Sequence, residues 1–324
     1  MGTYKGIQGY SIPNLSSDPG TLADVVGQLW YNSSSGKFKV CVQAAGAWSS
    51  GPSVNTQRYR FAGGAGTTTS AMIAGGYTAP SPGNRDSVEE YNGTAWSSET
   101  SLPVATADTV TWGTQTAAVT LGGNAPSPSN NTQLYNGASW TLSSNTLPWT
   151  AARIGGAGTQ TAGIAAGGDP AVSNSAEWNG TAWTDTGAYP ANGSNLMLCG
   201  TQTATLGLGG GNPGIGVTTY NGSTWTVNPA SMSNARGEAG YSTQGTQTAS
   251  MVVNGPVSGP SATSMTESFN GTSWTEIADM STARSSMGSC GTQANMMCIS
   301  GSPNTTATEV WDGAPVTAKI VTVS

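Results

Sequence analysis

The sequence predicts an all-β chain, a six-bladed β-propeller with four-stranded blades. Three observations point there: six tandem units of about 45 residues, glycine-rich turns at fixed places in each unit, and no window of helical periodicity. Composition agrees. Of 324 residues 46 are glycine and only 8% are charged, which suits short strands and tight turns rather than helices.

Two signatures define the unit. The first is an aromatic residue, Asn-Gly, two small residues and Trp: Tyr91–Trp96, Tyr135–Trp140, Trp178–Trp183, Tyr220–Trp225 and Phe269–Trp274, with a sixth start at Trp311-Asp312-Gly313 that lacks the closing Trp. Asn-Gly between β-rich runs is a strong hairpin signal. A two-residue type I′ turn is expected, which makes Tyr91 and Trp96 diagonal neighbours on one face, wedged between adjacent blades. The second signature is Gly-Thr-Gln-Thr at Gly113, Gly158, Gly200 and Gly245, with variants at Gly66 and Gly291. It joins two inner runs, such as Asp108–Trp112 and Ala117–Leu121, and the second run ends in Gly-Gly at 75–76, 122–123, 167–168 and 209–210. Small residues there fit crowding near a propeller axis.

A strand closing on Gly-Gly, a strand ending in an acid-x-aromatic-Asn element, a Trp, and a Leu-Pro-x-x-x-Arg-like approach together resemble the kelch repeat. The approach is read at Leu147-Pro148 with Arg153, Met232 with Arg236 and Met280 with Arg284. The resemblance spans about residues 46–313. The Gly-Thr-Gln-Thr turns and the scarcity of charge look more like repeats in structural proteins of tailed bacteriophages. That resemblance implies a virion protein, a tail appendage or fibre-associated propeller assembled in the host cytoplasm within a larger symmetric assembly, with capsid decoration or a bacterial carbohydrate-binding scaffold as alternatives.

The sixth unit stops before its Trp strand, while an orphan Trp48 precedes the first. The run around Ala47-Trp48-Ser49 is therefore expected to complete the last blade. Residues 1–45 fall outside the repeat and read as an attachment segment for other virion proteins, with a hairpin around Ser33–Gly36; its Leu-Trp-Tyr-Asn run resembles segments near the start of phage tail-fibre proteins. In the tail, 314–324, the run Ala318–Val323 is expected to be a strand pairing with Lys37–Val42.

Long connections should gather on the face opposite the Gly-Thr-Gln-Thr and Asn-Gly turns. The loops at Tyr77–Asp86, Asn124–Asn131, Asp169–Ser173, Gly211–Gly216 and Pro256–Ser261 are rich in Ser, Pro, Asn and Gly, a surface for host glycans or a protein partner. Tyr77, Arg85, Asp86, Trp149 and Tyr189 are the candidate contact residues, the alternative being ordinary loop residues. Glutamates before the aromatics, Glu90, Glu177, Glu267 and Glu309, read as blade residues set by strand position, not as paired catalytic carboxylates.

Other functions lack their residues. There is no His, no Cys-x-x-Cys, and a net charge of −6 without basic runs. No metal, cofactor, nucleic acid or membrane insertion is expected. Galactose-oxidase-like copper ligands and the sialidase-type Ser-x-Asp-x-Gly box are missing, so a non-enzymatic role is expected. A carboxylate pair among Asp86, Asp108 and Asp169 is the residual hydrolase alternative. Cys41, Cys199, Cys290 and Cys298 are expected as buried free thiols.

Overall fold

The computed structural model describes residues 12–322 apart from 21, 26, 44, 79–82, 211–213, 215, 256–261, 304 and 314–315. The Pro256–Ser261 loop and part of the Gly211–Gly216 loop thus lie outside the described residues. The chain is all-β and separates into two compact units, residues 48–312 and residues 1–47 with 313–324.

The larger unit carries six antiparallel sheets, numbered I to VI here. Sheet I comprises Ala65–Thr67, Ser70–Ala74, Val88–Tyr91 and Trp96–Glu99; sheet II comprises Thr109–Thr114, Ala117–Leu121, Thr132–Tyr135 and Trp140–Leu142, with Phe61–Ala62 added in parallel. Sheets III (Gly155 to Gly193), IV (Met197 to Asn228) and V (Gly240 to Ile277) repeat the order. Sheet VI has Gly288–Gly291, Asn295–Ile299 and Thr308–Asp312, and its fourth strand is Ala47–Gly51. First strands of neighbouring sheets lie side by side from I to IV and from V through VI to I.

Apolar residues collect between sheets. Six clusters form, one for each consecutive pair and one for VI with I, the last built from Val54, Phe61, Ile73, Tyr91, Met297 and Ile299 among others. Within each sheet the aromatic pair sits 4.9 to 5.6 Å apart between ring centroids, Trp48 supplying the partner of Trp311. The pair is directly opposed, Tyr91 to Trp96, not diagonal as expected. The reason is the Asn side chain. Asn92, Asn136, Asn179, Asn221 and Asn270 each accept two backbone N–H bonds at 2.8 to 3.0 Å from the third and fourth residues of a four-residue turn, in which only the glycine takes a positive φ.

The glutamine of Gly-Thr-Gln-Thr is a tie between sheets. Gln115, Gln160, Gln202, Gln247 and Gln293 each reach the preceding sheet, where Nε2 donates to two backbone carbonyls on its second and third strands at 2.5 to 3.2 Å. The equivalent residue in sheet I is Thr68, so the VI–I junction has no such tie.

A second tie lies within sheets and corrects two readings. Arg58, Arg236 and Arg284 are fully buried and pair with Glu89, Glu267 and Glu309 at 2.6, 2.8 and 2.7 Å. The first Arg therefore stands at 58, and Arg153 does not belong to this set; Leu147 leads to Ala151 at the spacing by which Met232 leads to Arg236. The four glutamates also split. Glu267 and Glu309 precede the aromatic by two residues and meet arginine, whereas Glu90 and Glu177 precede it by one and face the next sheet, where Tyr220 Oη donates to Glu177 at 2.9 Å.

The smaller unit is a four-stranded sheet ordered Asn14–Leu15, Leu29–Asn32, Lys37–Gln43 and Val316–Ile320. The last strand begins before the expected Ala318 and pairs antiparallel with Lys39–Gln43. Asp18 knits this unit, accepting from Trp30 Nε1 (3.2 Å), Asn32 Nδ2 (2.8 Å) and Lys39 Nζ (2.7 Å), and these donors, Lys39 first, lower its pKa. Phe38 and Ile320 remain exposed.

Candidate binding site

Each sheet of the larger unit is entered through one residue in the left-handed region: Arg60, Asp108, Arg153, Asn195, Glu238 and Ser286, with φ between 50° and 61°. Side chains other than glycine seldom take this conformation, and six equivalent occurrences mean the surroundings impose it. The cause is a run of backbone hydrogen bonds from one sheet entry to the next. Asn195 N–H donates to Arg153 O, Arg153 to Asp108, Asp108 to Arg60, Arg60 to Ser286 and Ser286 to Glu238, at 2.5 to 3.1 Å. The two ends of this run, Asn195 and Glu238, line one cavity of about 30 Å³.

The side chains alternate in charge. Asp108 pairs with Arg60, accepts from Arg153 Nε at 3.4 Å and from Asn124 Nδ2 at 2.7 Å. Arg153 also approaches Glu238 at 3.8 Å and Asp169 at 3.7 Å, and Ser286 Oγ donates to Glu238. The Asp108 pair raises the pKa of Arg60. Asn195 is only 8% exposed, and its Nδ2 has no partner. Phe61, Leu196, Met197 and Ala239 supply apolar lining.

Arg60 connects this cup to an open cleft of about 690 Å³ lined by Tyr77, Asn84, Ala105, Asn124 and Pro126. Its guanidinium lies 5.0 Å from the Tyr77 ring centroid, and Tyr59 meets Tyr77 edge-on at 5.5 Å. Sheet V reaches across to sheet I. In sheet V Gly245 follows Glu238 by seven positions, where the turn glycine follows the entry residue by five in sheets II, III, IV and VI, and the extra length carries Thr243, whose Oγ1 donates to Gly64 O at 3.4 Å, with fully buried Tyr241 alongside Gly63.

Of the five residues expected from sequence, only Tyr77 lines this cleft. Arg85 is half-buried and donates from Nε to Thr78 Oγ1 at 3.0 Å; Asp86 is exposed. Tyr189 is a core residue, 2% exposed, T-shaped against Trp225, with its hydroxyl accepting from Thr218 at 2.9 Å. Trp149 is half-buried and its Nε1 donates to Gly167 O at 3.0 Å. That carbonyl is the counterpart of Gly75, Asn254 and Ser300 O, which the buried arginines satisfy in sheets I, V and VI. Trp149 and Tyr189 thus occupy space that arginine fills elsewhere. Of the six entry residues, sequence reasoning named Arg153 only in the Leu-Pro approach and Asp108 only in a possible carboxylate pair, and it passed over the other four. Their signal was a polar residue five positions before the turn glycine in four of the six units, where small apolar residues dominate.

Among the described residues no group of three or more Cys, Asp or Glu side chains is placed to hold a metal ion. Compared with known proteins, the chain matches no family model and no curated sequence.

Proposed function

We propose that this chain is a non-enzymatic structural protein of a tailed-phage virion, associated with a tail appendage or fibre. In this reading residues 48–312 form a six-bladed, kelch-like propeller closed by Ala47–Gly51, and the smaller unit attaches it to other virion proteins. The sixth apolar cluster supports the closed ring, because it lies between the last sheet and the first and has the make-up of the other five. Exposed Phe38 and Ile320 give the smaller unit apolar surface for a partner.

The observation that carries the binding role is where polar side chains line open space. Repeated Gln, Arg, Glu and Asn side chains tie sheets and turns together, whereas Arg60, Tyr77, Asn84 and Asn124 line an open cleft. The hydrolase alternative is disfavoured because the carboxylate oxygens of Asp108 are already engaged by two arginines and an amide. The phage assignment itself rests on the repeat's resemblance to phage structural proteins.

Mass spectrometry of purified virions tests the assignment: peptides of this chain are expected, and their absence overturns it. For the ring, a chain beginning at Gly51 should melt well below the full-length protein. Equal melting temperatures would sink the closure.

A further inference from the structure

The geometry points to a site for a neutral saccharide, with one hydroxyl or hydroxymethyl group seated in the cup among Asn195, Arg153 and Glu238 and the sugar ring extending past Arg60 into the cleft beside Tyr77. This deepens the binding role proposed above and rests on it.

Three features select that chemistry. The first is Asn195, which lines the cavity and whose buried Nδ2 has no partner; a buried polar atom without a partner is destabilising unless a ligand or water meets it. The second is charge. Arg60 and Arg153 are balanced by Asp108 and Glu238, so the cup is neutral as a whole, and an ionic ligand would leave one charge uncompensated. Donors and carboxylate acceptors side by side match hydroxyl groups, which both donate and accept. The third is size. About 30 Å³ admits one hydroxyl-bearing group and not a ring, while the adjoining cleft of about 690 Å³ admits the ring and presents Tyr77, Asn84 and Asn124 to it.

The apolar lining from Leu196 and Met197 faces the carbon side of the inserted group. Because five backbone hydrogen bonds hold the entry residues in the left-handed conformation, the cup is organised before any ligand arrives.

Saturation-transfer-difference NMR on the full chain tests this, with methyl α-glucoside, methyl β-galactoside and N-acetylglucosamine as neutral probes and N-acetylneuraminic acid and glucosamine as charged ones. Transfer to at least one neutral probe is expected, stronger than to either charged probe. Asn195→Gly, which accepts the positive φ and deletes the amide, should weaken that binding tenfold or more, as should Asn195→Asp, which replaces the donor with an acceptor; thermal melts near wild type establish that both variants fold. Tyr77→Ser should weaken it separately from the cleft side. Absence of transfer to every neutral probe, preference for a charged probe, or unchanged binding in the folded Asn195 variants overturns the site. Virion mass spectrometry is an independent readout. Saccharide binding by a chain missing from virions removes the virion assignment alone, and a virion protein without saccharide binding removes this site alone.

Discussion

Sheets V, VI and I differ from sheets II, III and IV in how the same internal position is filled. The first three bury an arginine against a glutamate, Arg236–Glu267, Arg284–Glu309 and Arg58–Glu89; the other three use Thr106 with Gln133, Ala151 with Ala176 and Gly193 with Thr218. Where arginine is absent, something else satisfies or covers the site: Thr106 Oγ1 donates to Gly122 O, Trp149 to Gly167 O, and Tyr189 packs over Thr218. The ionic half is the half in which the chain enters and leaves, and it contains the one junction without a glutamine tie. Buried ion pairs add little net stability over well-packed apolar residues, but removing one partner leaves a buried charge, so each pair makes the fold of its own sheet less tolerant of substitution.

The largest test of this contrast is Arg236→Ala. Leaving Glu267 buried and unpaired should lower the unfolding free energy by about 3–5 kcal/mol. Adding Glu267→Ala should recover part of that loss by removing the unpaired carboxylate, though the position of Trp149 is held in sheet V by Asn234. Urea denaturation reads both, and a double variant no more stable than the single would break the comparison.

Next in size is the glutamine tie. Gln202→Ala at the III–IV junction strands two carbonyls, Gly163 O and Trp178 O, and should cost about 1–3 kcal/mol. Conversely, Thr68→Gln installs the missing tie against Met296 O and Trp311 O and should gain about 0.5–1.5 kcal/mol. A destabilised Thr68→Gln protein would mean that the VI–I junction is spaced differently from the other five.

A smaller effect concerns the tryptophans. Trp183, Trp225 and Trp48 donate to hydroxyls at one position of the preceding sheet, Thr132, Ser175 and Thr266, whereas Trp140 and Trp274 meet Val88 and Val217 there and have unpartnered Nε1 atoms. Val217→Thr should therefore stabilise by about 1 kcal/mol, measured as a raised melting temperature, despite the general penalty for placing a hydroxyl in a core.

The smallest concerns the thiols. Burial pushes Cys199 up to about 11 and Cys290 up to about 12, from an ordinary 9.0, and Cys298 higher still. A pKa raised on folding contributes stability fully present below the unfolded value and lost as pH rises toward the folded one. Stability should accordingly decline above pH 9. At pH 8 a thiol-reactive dye should label none of the four cysteines until denaturant is added. Labelling of the native protein would show that the core opens more readily than its packing implies.

The repeated four-stranded sheets were legible because period, turn residues and alternating apolar positions are carried by the chain itself; the C-terminal run was expected at Ala318–Val323 against Lys37–Val42 and pairs at Val316–Ile320 against Lys39–Gln43. The Asn-Gly turn was placed but its register was not: a two-residue turn was assumed, and the Asn side chain lengthens it to four. The role of the repeating glutamine was hidden because its partners lie some 24 to 44 residues upstream, on another sheet. Trp149 and Tyr189 looked like surface aromatics on Pro-containing linkers. What they fill is a gap left by Ala151, Ala176 and Gly193, which is visible only once the sheets are assembled. The entry residues needed a positive φ at non-glycine positions, and that is set by backbone bonds to neighbouring sheets rather than by their own preference.

The strand Ala47–Gly51 lies beside Thr308–Asp312 in sheet VI, and the chain passes from both into the smaller unit, on one side through residues 44–46 and on the other through 313–315. Because Val316–Ile320 is itself hydrogen-bonded to Lys39–Gln43, the larger unit hangs on two strands of chain instead of one. A protease that nicks either connection leaves the other intact. Release of the six sheets requires both cuts, so a single nick in either connection leaves them covalently joined to the smaller unit.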